Sequence, residues 1–240
     1  MEPSPTPIAP ADNPPPPSPS SPATPWLPYV LPMIVFLVAT QGEAFLPKSV
    51  YPVAYAVKAV IVTVVLLVCL KTWRHELRFD AKAVGIGVLA GLIGLPLWLG
   101  VDAITPPLSF LGTRTAYNPF TAIPDATLRT VFLATRFFGL AVMVPLMEEV
   151  FWRSFLLRFV TDQDKWYTLP VGAFSLAALA FVCAGFGLVH PEYLAAIVFA
   201  LLMAGLLRLT KNLLACVVAH GVTNLALGIY VLATGNWQLW

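Results

Sequence analysis

The chain has 240 residues, of which 58% are hydrophobic and only 11% are charged. Soluble domains are about 45–50% apolar and about 25% charged, so this composition excludes an ordinary water-soluble domain. The net charge is only +2, and the basic residues are scattered over short loops. A dense basic patch with interleaved aromatic residues is absent from the sequence, so we expect no nucleic acid partner. The lipid bilayer is the expected solvent.

The first 25 residues are dominated by Pro, Ser, Ala and Thr. Such a segment cannot bury enough apolar surface to fold, and its prolines cannot continue a helix. We therefore predict a disordered, partly polyproline tail over residues 1–25 and a transmembrane domain over residues 26–240. The tail lacks the basic region that opens a signal peptide, so the first hydrophobic helix is expected to stay attached.

Seven apolar segments follow, and a helix of about 20 residues crosses a hydrocarbon layer of about 30 Å. They are predicted at about 27–46, 50–70, 83–104, 128–151, 168–190, 193–209 and 212–234. The fourth keeps its helical periodicity through Arg158. The fold class is therefore all-α, a polytopic transmembrane helical bundle of about seven spanning helices.

Lysine and arginine cluster after the second, fourth and sixth segments, whereas the alternate loops hold only Lys48, Arg114 and Arg129. By the positive-inside rule the amino terminus is cytoplasmic and the carboxyl terminus is outside. We expect a multi-pass protein of a bacterial inner membrane.

Two adjacent glutamates interrupt the fourth segment, in the sequence VPLMEEVFWRSFLLR. A charged group at mid-bilayer costs about 2.5–3.5 kcal/mol even on the lenient insertion scale, so Glu148 and Glu149 require an explanation. Glu149 and Arg153 are four residues apart in the favourable acid-before-base order, which predicts an intrahelical ion pair. Glu148 is rotated by about 100° and is left free to face a cavity. The alternative is a pair of glutamates at a cytoplasmic helix end, neutralised by basic residues and without catalytic function.

Three further polar residues interrupt apolar segments. His190 ends the sequence FGLVH and shares a helix face with Phe186, and His220 and Asn224 share one face of the last segment. Each has an ordinary alternative, because a single histidine can lie at an interface and a His/Asn pair can merely hold two helices together. Taken together with the glutamates, these residues favour one shared site.

The residue types fit peptide hydrolysis, which needs an activated water and donors for the developing oxyanion. A carboxylate in a low-dielectric site is a stronger base than in water, which suits Glu148. His190 could share or orient the water, and His220 and Asn224 could donate to the oxyanion. The sequence contains no HExxH, GxSxG or GxGD motif, so a glutamate-based site remains.

Three motifs in order carry a specific resemblance: EEVFWR over residues 148–153, FGLVH over 186–190 and HGVTN over 220–224. They match the EExxxR, FxxxH and HxxxN motifs of the CAAX-protease and bacteriocin-processing (CPBP) family, which includes type II CAAX prenyl endopeptidases. The resemblance covers about residues 128–234, and the first three helices carry no motif. The continuation FWRSFLLR is similar to CAAX-protease-related proteins that accompany bacterial exosortase systems.

The resemblance implies a cavity in which Glu148 and His190 activate water while His220 and Asn224 hold the oxyanion. Glu149, Arg153 and Phe186 would be supporting residues. Type II members were long described as metalloproteases, but no two candidate ligands here share an HxxxH spacing. We therefore expect a site without metal or cofactor, with zinc as the alternative.

The expected function is an intramembrane endopeptidase acting on membrane-associated or lipid-modified protein substrates. A different interpretation is a non-proteolytic membrane scaffold or immunity protein that binds a partner in the same cavity. A third interpretation, a small transporter, lacks the inverted repeat that would support it.

Overall fold

The computed structural model describes residues 26–112 and 114–240, so the tail predicted for residues 1–25 lies outside the described part of the chain. That part contains helices and turns without any β-strand, which confirms the all-α fold class. The eight helices, in chain order, are α1 (Leu27–Glu43), α2 (Tyr51–Trp73), α3 (Ala81–Asp102), α4 (Pro119–Ala122), α5 (Ala126–Thr161), α6 (Leu176–Leu188), α7 (Tyr193–Thr210) and α8 (Leu213–Thr234).

Five of these helices are long and apolar enough to cross a membrane, namely α2, α3, α5, α7 and α8. The other two apolar helices, α1 with 17 residues and α6 with 13 residues, are shorter. The prediction of a spanning helix over residues 168–190 was therefore wrong at its start. Pro170 lies in this stretch and Gly172 has a φ of +84°, so the chain forms turns there and becomes α-helical only after the Ser175 cap.

Helix α5 is 36 residues long and is not uniform. Its first residues are α-helical after the Asp125 cap, but Gly139–Met143 and Val150–Leu156 are π-helical. Pro145 lies between the two π segments and cannot donate a backbone hydrogen bond. Single π turns inside α-helices occur frequently at functional sites. The predicted continuation of this helix through Arg158 is confirmed, because the helix ends at Thr161.

Helices α3 and α8 pack in close backbone contact. A Cβ atom at Gly87, Gly91 or Gly94 would lie within 2.5 Å of an atom of α8, and at Gly91 that atom is the carbonyl oxygen of Ala219. The Thr223 hydroxyl donates to the Gly91 carbonyl oxygen across 2.9 Å. Small residues allow helices to approach closely in a bilayer, where packing rather than the hydrophobic effect joins them. Helix α3 therefore supports the helix that carries His220 and Asn224.

A buried polar network fixes the last turns of α5. The Glu76 carboxylate accepts hydrogen bonds from the Arg158 guanidinium at 2.7 Å, the Ser154 hydroxyl at 2.6 Å and the Tyr29 hydroxyl at 3.2 Å. Arg158 also donates to the Leu169 carbonyl oxygen at 3.1 Å. Because several partners satisfy these buried groups, the network stabilises one arrangement of α1, α5 and the turn after α2.

Candidate active site

The adjacent glutamates of α5 have different surroundings. Glu148 keeps 12% of its side-chain surface accessible, whereas Glu149 keeps none. Within residues 26–112 and 114–240, the Glu148 side chain has no hydrogen-bond partner, and its Oε2 atom is buried. Leaving a buried polar atom unpaired costs free energy, so this Oε2 atom requires an explanation, such as a bound water molecule or a catalytic role.

Glu149 instead contacts two partners. Its Oε2 atom lies 3.3 Å from the Arg153 Nε atom, which is the ion pair predicted from the four-residue spacing. Its Oε1 atom lies 2.8 Å from the Nδ1 atom of His220. The second contact joins residues 71 positions apart in the sequence, and no local spacing could have predicted it. Glu149 thus connects α5 to α8 at the centre of the site.

The contact with Glu149 determines which ring nitrogen of His220 faces the site. Since an ionised carboxylate only accepts hydrogen bonds, His220 carries a proton on Nδ1. The opposite atom, Nε2, faces the Glu148 Oε2 atom at 4.0 Å, which is too long for a direct hydrogen bond. His220 can donate from Nε2 only when its ring is doubly protonated. The oxyanion role predicted for His220 therefore needs the imidazolium form of the ring.

Asn224 holds α8 against the first π segment of α5. Its Nδ2 atom donates to the Leu140 carbonyl oxygen across 3.0 Å. In a π-helical pattern that carbonyl would accept from the residue five positions later, which is Pro145 and has no N–H. Gly221 allows the close approach, because a Cβ atom there would lie 2.5 Å from the Ala141 carbonyl oxygen. The Asn224 amide has two N–H donors, so one remains for a ligand.

His190 lies in the turn just after α6, not inside the helix. Its Nδ1 atom is 2.7 Å from the Phe186 carbonyl oxygen, and its ring stacks on the Phe186 ring at 4.6 Å between centroids. The edge of the Trp98 ring packs against it at 6.0 Å. Because a carbonyl oxygen only accepts, Nδ1 is the donor and Nε2 of the neutral ring is left with a free lone pair. His190 can therefore accept a proton from water at Nε2.

The short length of α6 brings His190 to the depth of the glutamates. The Ser175 N–H donates to the Thr161 hydroxyl at 3.1 Å, so α6 starts beside the end of α5. Its 13 residues rise by about 20 Å along the neighbouring half of α5. Glu148 precedes Thr161 by 13 residues, which is about the same rise. The full-length segment 168–190 would have carried His190 past the glutamates towards the far membrane face.

Aromatic rings connect His190 with the rest of the cluster. The Arg153 guanidinium lies 4.6 Å from the Phe186 ring centroid, so Phe186 contacts both Arg153 and His190. On another side, Trp98 packs against Phe199 at 6.0 Å, and Phe199 packs against the His220 ring at 5.2 Å. The sequence analysis missed Trp98 and Phe199, because both lie in uniformly apolar segments without a motif.

Two further features of the site are the surroundings of Arg153 and its capacity to bind a metal ion. The Nη1 and Nη2 atoms of Arg153 are buried without a hydrogen-bond partner in the described part of the chain. In the same part, no group of three or more histidine, cysteine, aspartate or glutamate side chains is arranged to hold a metal ion.

Fold and site together define a polytopic α-helical membrane protein whose bundle encloses a glutamate–histidine–asparagine cluster at a π-helical break. Residues 130–226 match the family model for type II CAAX prenyl endopeptidases that are Rce1-like. This match over part of the chain supports the resemblance to the CAAX-protease and bacteriocin-processing family that the three motifs carry. The match runs from α5 into α8 and contains all seven residues predicted for the site. No curated protein and no solved structure matches the chain significantly.

Proposed function

We propose that the chain is an intramembrane endopeptidase that hydrolyses peptide bonds with a water molecule activated by Glu148 and His190. The observation that supports this most directly is the contrast between the two glutamates. The Oε2 atoms of both glutamates are buried without a hydrogen bond, but Glu149 is fully buried and contacts Arg153 and His220. Glu148 is partly accessible, and the ion-pair contact of its Oε2 atom, with His220 Nε2, is 4.0 Å long. A carboxylate with that freedom is suited to act as a general base.

In the proposed reaction, Glu148 takes a proton from water while the water oxygen forms a bond to the scissile carbonyl carbon. His190 accepts a hydrogen bond from the same water at Nε2 and orients it. The carbonyl oxygen becomes an oxyanion, which His220 and the remaining Asn224 N–H would bind. The carbon–nitrogen bond then breaks, and the proton held by Glu148 passes to the leaving amine.

Glu149 has a positioning role in this proposal. Its contact with Nδ1 directs Nε2 of His220 towards Glu148. An acid that orients a histidine in this way is a recurring arrangement in hydrolases. The reaction needs no metal or cofactor, and zinc bound by the histidines is the alternative.

The proposed substrates are membrane-associated or lipid-modified proteins, because the site lies in a helical bundle and the matching family model describes prenyl endopeptidases. We place the protein in a bacterial inner membrane with a cytoplasmic amino terminus, on the basis of the Lys/Arg distribution. The similarity of FWRSFLLR to exosortase-associated proteins supports a client of an exosortase system as a narrower proposal.

The test compares cells that produce the wild type, Glu148→Gln or Gly85→Ala. A Cβ atom at Gly85 would meet no neighbouring atom within 4 Å, so Gly85→Ala is a control for substitution in the bundle. Mass spectrometry of membrane-protein termini should show uncleaved precursors only with Glu148→Gln. The purified wild type, and not Glu148→Gln, should then cleave those precursors.

Identical termini in all three strains, with Glu148→Gln present at normal levels in the membrane, would contradict the proposal. Full complementation of a deletion strain by Glu148→Gln would instead favour a scaffold or immunity function.

A further inference from the structure

An ion pair outside the three motifs contacts the turn that carries His190. Arg114 follows α3 in the chain, and its Nε atom lies 2.7 Å from the Glu192 Oε1 atom. Its Nη2 atom donates to the Glu192 Oε2 atom at 2.9 Å. Two parallel contacts between a guanidinium and a carboxylate fix orientation as well as distance. The pair joins residues 78 positions apart.

Glu192 links the ion pair with Arg114 to the turn that carries His190. It lies two residues after His190 and directly before α7, and it is 8% exposed. Its side chain does not cap its own helix, although its carbonyl oxygen accepts the first helical hydrogen bond, from the Ala196 N–H at 2.9 Å. In the described part of the chain, Arg114 is the cation within 4 Å of this carboxylate.

The other constraints on His190 come from α6 and α3. Its backbone N–H donates to the Gly187 carbonyl oxygen at 3.1 Å, and its ring is held by Phe186 and Trp98. These contacts fix the turn from its α6 side. The Arg114–Glu192 pair fixes the other side of the turn, where α7 begins.

We propose that Arg114 is a positioning residue, which acts through Glu192 to hold the turn of residues 189–192 so that Nε2 of His190 faces the site. This inference rests on the proposed function for its catalytic consequence. The positioning itself is measurable without any substrate. Lysine at position 114 would keep the charge and lose the two-point contact, so it would replace arginine only in part.

The experiment measures the rate at which diethyl pyrocarbonate modifies each histidine of the full chain in detergent, read by mass spectrometry. The reagent attacks an unprotonated ring nitrogen, such as the free Nε2 of His190. His75 has a side chain that is 65% exposed and serves as the internal reference. The matched control is Arg129→Ala, because Arg129 donates to the Ile123 carbonyl oxygen and has no contact with the His190 turn.

Arg114→Ala should raise the modification rate of His190 about three- to tenfold, because the Arg114 side chain is partly exposed and such pairs contribute modestly. Arg114→Lys should give an intermediate rate, and Arg129→Ala should leave the rate unchanged. Glu192→Ala should match Arg114→Ala, and the double variant should be no faster than either.

An unchanged His190 rate in Arg114→Ala, or additive effects in the double variant, would overturn the proposal. If the peptidase reaction is also detected, Arg114→Ala should lower kcat with little change in KM. A chain with the modification pattern described but no peptidase activity would retain this inference and refute only the proposed function.

Discussion

The close contact between α3 and α8 makes Gly91 a sensitive position, although it lies outside the family match and far from any motif. A Cβ atom at this position would lie 2.5 Å from the Ala219 carbonyl oxygen and 2.7 Å from the Val222 Cβ atom. Ordinary carbon–oxygen contacts are about 3.3–3.6 Å. The substitution Gly91→Ala therefore requires the two helices to separate by about 1 Å.

Overpacking of this kind costs about 1–3 kcal/mol. The same movement lengthens the hydrogen bond from the Thr223 hydroxyl to the Gly91 carbonyl oxygen, now 2.9 Å, beyond hydrogen-bonding range. Such bonds in membrane proteins contribute about 0.6 kcal/mol on average. Because the higher helix propensity of alanine offsets up to about 1 kcal/mol, we expect Gly91→Ala to lower the free energy of unfolding by about 1–3 kcal/mol. Because His220 directly follows Ala219, activity should fall as well.

Gly85 provides a matched control in the same helix, since a Cβ atom there meets nothing within 4 Å. Alanine has the higher helix propensity by up to about 1 kcal/mol, so Gly85→Ala should be as stable as the wild type or slightly more stable. Unfolding in mixed micelles with increasing SDS, followed by circular dichroism, measures both variants. Equal stability of Gly91→Ala and Gly85→Ala would refute the packing argument.

Three more outcomes are expected from the site. Glu148→Gln should abolish peptidase activity without lowering stability. Glu149→Gln should lower both activity and stability, because it leaves the buried Arg153 guanidinium without its counter-charge at a cost of about 3–5 kcal/mol. Thermal unfolding and a cleavage assay distinguish the two variants, and equal stabilities would contradict this prediction. Gly221→Ala should destabilise the protein and Gly205→Ala should not, because only a Cβ atom at position 221 would lie 2.5 Å from a backbone oxygen. Equal thermal stability of the two variants would contradict this prediction. Peptidase activity should survive extensive treatment with EDTA and 1,10-phenanthroline, and its loss with recovery on adding zinc would favour the metalloprotease alternative.

The parts of the structure that follow from local sequence were predictable. Apolar segments of sufficient length predict helices, and the four-residue spacing predicts the Glu149–Arg153 pair, because residues four apart lie on one helix face. The rotation between adjacent helical residues predicts different environments for Glu148 and Glu149. The same reasoning placed Phe186 beside His190.

The prediction of where α6 starts was wrong, because hydropathy alone does not distinguish an apolar helix from apolar turns. Leu169, Val171 and Phe174 made the stretch before Leu176 resemble a continuous span. Pro170 and Gly172 were the signals against a helix there. A helix over the whole of residues 168–190 would have placed His190 at a different depth in the membrane from the glutamates.

Contacts between segments that are distant in the sequence could not be predicted from the spacing of residues. The bond between Glu149 and His220 results from how α5 and α8 pack. The close approach at Gly91 arises in the same way, from the packing of α3 against α8. Motif resemblance placed the catalytic candidates together but gave no information on their partners. The Arg114–Glu192 pair had no signal, since each residue alone is typical of an ordinary charge in a connecting loop.

The arrangement of α5 explains how two adjacent acids can have separate functions in one low-dielectric site. Pro145 and the π segment before it leave a carbonyl oxygen at Leu140 that Asn224 binds, which pulls α8 against α5. With α8 so placed, His220 reaches Glu149, and Glu149 then faces the Arg153 guanidinium on one side and the His220 ring on the other. Glu148 would be repelled by a second free carboxylate beside it, and the positive charge of Arg153 next to Glu149 reduces that repulsion. The helix break, the asparagine and the second glutamate therefore act as one unit that leaves Glu148 as the accessible carboxylate of the two.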